Sequence, residues 1–213
     1  MKLEKIEPLD SPNYLRLIFD DGKRLKAPAF KVVELGLTIG AEVSPEDFLA
    51  LENAQSFASC KERAVRILTA SGLSKKELQK RLVQKGESEE DAEAAISWLE
   101  ELHLIDDLET AKQLVRSANL RGYGRARAKS ILYEKGIPKE LWDEALSEFG
   151  ETDGAIDAFL RKKLSGRTLD QKTIKKAVDA LIRRGHSWKD IQSGLRRYRV
   201  GLELEEITED DIS

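Results

Sequence analysis

Apolar residues fall into one register around three widely spaced glycines. Each glycine follows a cation, at Lys85-Gly86, Lys135-Gly136 and Arg184-Gly185, with separations of 50 and 49 residues. A period of that size marks tandem helical units. Eight, four and three residues before each glycine stand Leu78, Leu82 and Val83, then Ala128, Leu132 and Tyr133, then Ala177, Leu181 and Ile182. These offsets place the side chains on one helical face. Six, ten and thirteen residues after it stand Ala92, Ile96 and Leu99, then Trp142, Leu146 and Phe149, then Ile191, Leu195 and Tyr198. That spacing predicts a following helix with its own apolar stripe. The ninth residue is small in every copy (Ala95, Ala145, Gly194), which lets two helix backbones approach closely.

Local punctuation agrees with this register. A cation before a glycine suits a helix C-terminus, where the charge meets the dipole and glycine takes the left-handed cap. Ser88, Pro138 and Ser187 lie two residues on and suit a helix start, and Ser74 with Glu77 marks the start of the preceding helix in the first copy. Upstream stripes complete each unit: Cys60, Ala64, Ile67 and Leu68; Leu108, Ala111, Val115 and Ala118; Ala155, Ile156, Phe159 and Leu160. The expected fold is mainly α: a tandem array of three three-helix repeats, elongated and curved, because one such unit alone buries little apolar surface.

The first 58 residues read differently. Tyr14–Phe19 predicts a strand, Asp20-Asp21-Gly22 a tight turn, and Lys23–Lys26 its return. Pro28–Leu37 predicts a short helix closed near Gly36, and Ser44-Pro45-Glu46-Asp47 starts another that can run into the first repeat. The expected organisation is a β-hairpin-plus-helix module at 1–58, repeats at 59–105, 106–150 and 151–199, and an acidic, mobile tail at 200–213.

Composition narrows the class of function. With 40% hydrophobic and 35% charged residues, the chain is too apolar for disorder and too charged for a membrane protein. The charged N-terminus lacks a signal-peptide core, and the single cysteine fits a reducing compartment, so the cytoplasm is expected; a monomer is the expected state, which the sequence leaves open. The net charge of −3 conceals an asymmetry: residues 151–199 carry 13 Lys and Arg against 6 Asp and Glu, and residues 200–213 carry 6 acids and no base.

Catalysis finds little support. His103 and His186 stand beside helix ends and Cys60 lies on an apolar stripe, so neither a catalytic dyad nor a zinc site is expected. Gly122-Tyr123-Gly124 lacks the rest of a dinucleotide or P-loop fingerprint and reads as a bend between two helices. Asp106-Asp107 reads as a helix cap, since adjacent helical side chains diverge by roughly 100°. No catalytic residue, metal or cofactor is expected.

The basic clusters are the candidates for partner and DNA binding. Arg121, Arg125, Arg127 and Lys129 surround Tyr123 in the second repeat. In the third stand Lys162, Lys163, Arg167, Lys172, Lys175, Lys176, Arg183, Arg184, Arg196, Arg197 and Arg199, with Trp188 and Tyr198 nearby. Six cations meeting phosphates would lose about 10³-fold in affinity between 50 and 200 mM salt. The acidic tail would compete with phosphates for the same face.

Several strings resemble the RecX family, bacterial regulators of the RecA recombinase. They are Ala64-Val65-Arg66-Ile67-Leu68 with Ser74-Lys75-Lys76-Glu77-Leu78, Leu104-Ile105-Asp106-Asp107, Arg121-Gly122-Tyr123-Gly124 continuing to Lys135-Gly136-Ile137, and Arg184-Gly185-His186-Ser187-Trp188-Lys189-Asp190-Ile191. Thr110 departs from the family's usual aromatic residue, and the acidic tail is not a family motif. The resemblance implies a non-enzymatic modulator. Such a protein would lie in the groove of the RecA–single-stranded-DNA filament and restrain its ATPase, strand exchange and coprotease activity, tempering DNA repair and the SOS response. Weak duplex binding is admitted as well. The competing expectation is a sequence-tolerant DNA-binding helical module that needs no recombinase.

Overall fold

The computed structural model describes residues 1–70, 72–166 and 170–198. It is mainly helical, with ten α-helices among the described residues and a three-stranded antiparallel sheet at the N-terminus. Two compact units divide the chain, Met1–Ile105 and Asp106–Ser213.

In the first unit, β1 (Leu3–Pro8), β2 (Tyr14–Phe19) and β3 (Arg24–Pro28) pair in chain order. The expected hairpin is β2–β3; β1 is an additional strand that the sequence pattern does not announce. A bulge between Leu3 and Lys5 shifts its register, so buried Leu3 and half-buried Ile6 stand three residues apart and break strict alternation. Helix α1 (Ala29–Glu34) closes at Leu35 and Gly36. Helix α2 (Pro45–Ala70) starts at Ser44, whose hydroxyl accepts from the Asp47 amide at 3.0 Å and donates to the Asp47 carboxylate.

Helix α2 runs unbroken through residue 58. Its 26 residues measure about 39 Å. The first half sends Leu51 and Phe48 into the sheet's core with Leu3, Leu17 and Phe19. The second half sends Cys60 and Ala64 into a separate core with Leu78 and Leu82 of α3 (Lys75–Gln84) and Ala92, Ala95 and Leu99 of α4 (Glu89–Glu101).

The second unit holds two further three-helix domains, each with its own core. Helix α5 (Asp107–Leu120), α6 (Arg125–Glu134) and α7 (Trp142–Ser147) enclose Ala111, Val115, Leu132, Ala145 and Leu146. Pro138 opens a 3₁₀ turn, Lys139–Leu141, ahead of α7. Helix α8 (Asp153–Leu164), α9 (Gln171–Arg183) and α10 (Trp188–Arg197) enclose Ile156, Leu160, Ile174, Leu181, Ile191 and Leu195.

The repeat register has the physical basis read from the sequence. Gly86, Gly136 and Gly185 all take the left-handed conformation, with φ of +92°, +69° and +85°. Ser74, Ser88 and Ser187 each accept the amide three residues on. A Cβ at Gly194 would stand 2.4 Å from Ile156, so α10 sits tightly on α8 where the small residue was expected. One register position departs. Val83 and Tyr133 are exposed, because the residue three before the glycine sits at the rim of the stripe, about 100° from the buried leucine before it.

Candidate functional site

The loop Arg121–Gly124 does more than bend the chain. It receives the end of α9 from 60 residues further on, and the two segments satisfy each other's helix termini. Gly124 caps α6 with no side-chain acceptor. Its amide instead donates to the Arg184 carbonyl at 2.8 Å, and the Ala126 amide donates to the Gly185 carbonyl at 3.1 Å. Thus carbonyls at the negative end of α9 face amides at the positive end of α6. In return, the Arg184 guanidinium donates to the Gly122 carbonyl at 3.2 Å and to the Arg121 carbonyl at 2.6 Å, covering the exit of α5. It also lies 5.2 Å from the Tyr123 ring centroid and 5.5 Å from that of Phe159. Tyr123 is therefore half-buried beside a cation of its own chain.

His186 completes this junction. It is 6% exposed, and its Nε2 lies 3.2 Å from the Gly122 carbonyl, so that nitrogen carries the proton. Nδ1 is buried with no hydrogen-bond partner among the described residues. Burial pushes the imidazole below its ordinary value of 6.5, and Arg184 adds to this while the Gly122 bond and Asp190 oppose it. A folded value below the unfolded one stabilises the fold above about pH 6.5, and this contribution fades as pH falls through the folded value. Thermal melts from pH 7.5 to 5.0 are expected to show a loss that His186→Gln reduces, worth at most about 1.4 kcal/mol per pH unit. Equal losses in parent and variant would remove His186 as the cause.

The other basic candidates divide by what they touch. Arg125 donates to the Leu146 carbonyl at 3.1 Å, tying α6 to α7, and Arg127 pairs with Glu134 at 2.7 Å. Arg197 forks across Asp157 and Asp153 at 2.9 and 3.0 Å, holding the end of α10 to the start of α8. Arg121, Lys129, Lys162, Lys163, Lys175, Lys176, Arg183 and Arg196 are exposed. Lys163, Lys176 and Arg183 line one shallow groove on α8 and α9, together with Thr173 and Asp179. Arg167, Arg199 and the acidic tail lie outside the described residues.

Reactive chemistry has no comparable setting. Cys60 is fully buried, and burial beside Glu87 and Asp91 pushes its thiol up to about 11. The Asp106 carboxylate accepts the Leu108 and Glu109 amides at 2.7 and 3.2 Å, as a helix cap does. Among the described residues, no three His, Cys, Asp or Glu side chains gather as a metal site, and no helix is long and apolar enough to cross a membrane.

Comparison with known proteins places this geometry. The first three-helix domain of RecX matches residues 60–99, and the second matches 106–146. The regulatory protein RecX of Clostridium beijerinckii is 31% identical over 166 residues, covering 76% of this chain and 77% of that one. The RecX of Vibrio parahaemolyticus is 32% identical over 139 residues, covering 64% and 90%. A crystal structure of a regulatory protein RecX superposes with a TM-score of 0.75 at 21% identity, over 90% of this chain and 98% of that one, so the fold is shared. With its helical domains matched in order, the chain belongs to the RecX family, whose members are regulatory proteins rather than enzymes.

Proposed function

We propose that this chain binds the RecA–single-stranded-DNA filament in the cytoplasm, in the filament's helical groove, and lowers its ATPase, strand-exchange and coprotease activity. Family membership supports the partner. The observation that carries the reading is the backbone junction between the second and third domains, Gly124 with Arg184 and Ala126 with Gly185. Two domains tied in this way present their surfaces at fixed separation. Modest contacts along one stiff scaffold then add through effective concentration. The exposed cations Lys129, Lys162, Lys163, Lys175, Lys176, Arg183 and Arg196 would meet acidic recombinase surfaces or phosphates.

Substoichiometric addition to the cognate RecA on single-stranded DNA is expected to lower ATP hydrolysis. No change across a broad titration would overturn the reading. The groove of Lys163, Lys176 and Arg183 favours a second reading, a DNA-binding module acting alone. That reading requires tight, steeply salt-dependent binding to naked DNA. Weak binding to DNA with strong binding to the filament would exclude it.

A further inference from the structure

We propose that the acidic segment Glu203–Asp211 docks on the basic groove of α8 and α9 in its own chain and shields it from other polyanions. Among the described residues, the groove's lining sets Lys163, Lys176 and Arg183 against one acid, Asp179. Lys176 and Arg183 are seven residues apart, two helical turns or about 10 Å along one stripe. The segment offers Glu203, Glu205, Glu206, Glu209, Asp210 and Asp211 with no base among them. Acids three residues apart in an extended chain also stand about 10 Å apart. A short acidic run can therefore follow the cations down the helix.

Reach allows the contact. Arg197 anchors the end of α10 beside Asp153 and Asp157 at the start of α8. Lys163 lies ten residues further along α8, about 15 Å away by helical rise. The five residues from Tyr198 to Glu203 extend up to about 17 Å, and the thirteen to Asp211 up to about 43 Å. Individually such exposed pairs are weak and salt-screened, but tethering holds the acids at an effective concentration on the order of millimolar. The docking stands on charge and reach. Only its effect on nucleic acid rests on the proposed function.

Zero-length carbodiimide coupling of the full chain, followed by peptide mass spectrometry, tests the contact directly. Amide links within one molecule from Lys163 and Lys176 to Glu203–Asp211 are expected, fading by about 0.5 M salt as the Debye length shrinks. Links spread evenly over the exposed lysines of both units would overturn the proposal. A second arm measures binding to an oligo-dT strand at low salt with the full chain, a chain ending at Leu202, and a full-length chain with Gln or Asn at the six acids. Both altered chains are expected to bind at least tenfold tighter, with the gain vanishing at high salt. Groove links without any gain would leave the docking standing and overturn the nucleic-acid role of this face. A gain without groove links would overturn the docking.

Discussion

Replacing Gly124 with alanine is expected to lower the melting temperature of the second unit by about 15 °C. The added Cβ would stand 2.0 Å from the Gly185 carbonyl oxygen and 2.3 Å from the His186 nitrogen. Both are backbone atoms, so no side chain can rotate aside. Relief requires the α9–α10 turn to withdraw from the α5–α6 turn, and withdrawal breaks the bonds from Gly124 to Arg184 and from Ala126 to Gly185. Overpacking costs about 1–3 kcal/mol and each lost hydrogen bond about 1. A total of about 3 kcal/mol corresponds to roughly 15 °C in a unit of about 100 residues. Gly185→Ala is expected to behave alike, since its Cβ would meet the Arg127 amide nitrogen at 2.2 Å. Gly86→Ala is the control for Gly185: it shares that residue's left-handed backbone but has nothing within 4 Å, so only the conformational cost of about 1–2 kcal/mol applies. Helicity should survive in all three, because each three-helix domain keeps its own core. A Gly124→Ala chain melting within 2–3 °C of the parent would refute the tight junction.

The sequence makes the helices legible and the junction illegible for one physical reason. Helix termini are written in local chemistry: Ser74, Ser88 and Ser187 cap residues three further on, and the repeat glycines close helices beside them. Apolar stripes are local too, which is why Ala95, Ala145 and Gly194 stand out as packing positions in the sequence itself. The partner of Gly122-Tyr123-Gly124 is instead more than 60 residues away. A bend is all that the near neighbours of this string report. Its two glycines, with Gly185, were the available signal, since glycine also marks close backbone approach. Strand β1 escaped for a related reason, its bulge having erased the alternation that reveals a strand.

The cations show the same limit most sharply, because adjacent residues meet opposite fates. In the sequence, Arg183 and Arg184 stand side by side among the basic candidates for partner binding. Arg183 is exposed on the groove, whereas Arg184 is half-buried and bonds two carbonyls of α5's exit. One residue on a helix turns the side chain by about 100°, enough to carry it from solvent into the junction. The sequence alone does not say which arginine faces which way.

This pair makes the second large prediction. Arg184→Ala is expected to destabilise the second unit by about 2–3 kcal/mol. It removes two charge-assisted hydrogen bonds and the stacking on Tyr123 and Phe159, and leaves the Arg121 and Gly122 carbonyls without the guanidinium. The estimate is held below the sum of those terms because the site is only half-buried. Arg184→Lys should recover little, since a single ammonium does not reproduce the planar fork that spans both carbonyls. Arg183→Glu is expected to shift stability by under about 0.5 kcal/mol, as exposed substitutions do, while weakening polyanion binding and reducing its salt slope by about one contact. Thermal melts of the three variants read the first effect, and filament ATPase with oligonucleotide titrations reads the second. If Arg184→Ala melted with the parent while Arg183→Glu unfolded the unit, the roles assigned to the two arginines would be reversed. If Arg183→Glu were stable and also restrained the filament fully, the groove on α9 would not be part of the binding face, and the contact would fall to the exposed cations outside it, among them Arg121 and Lys129 on the second domain.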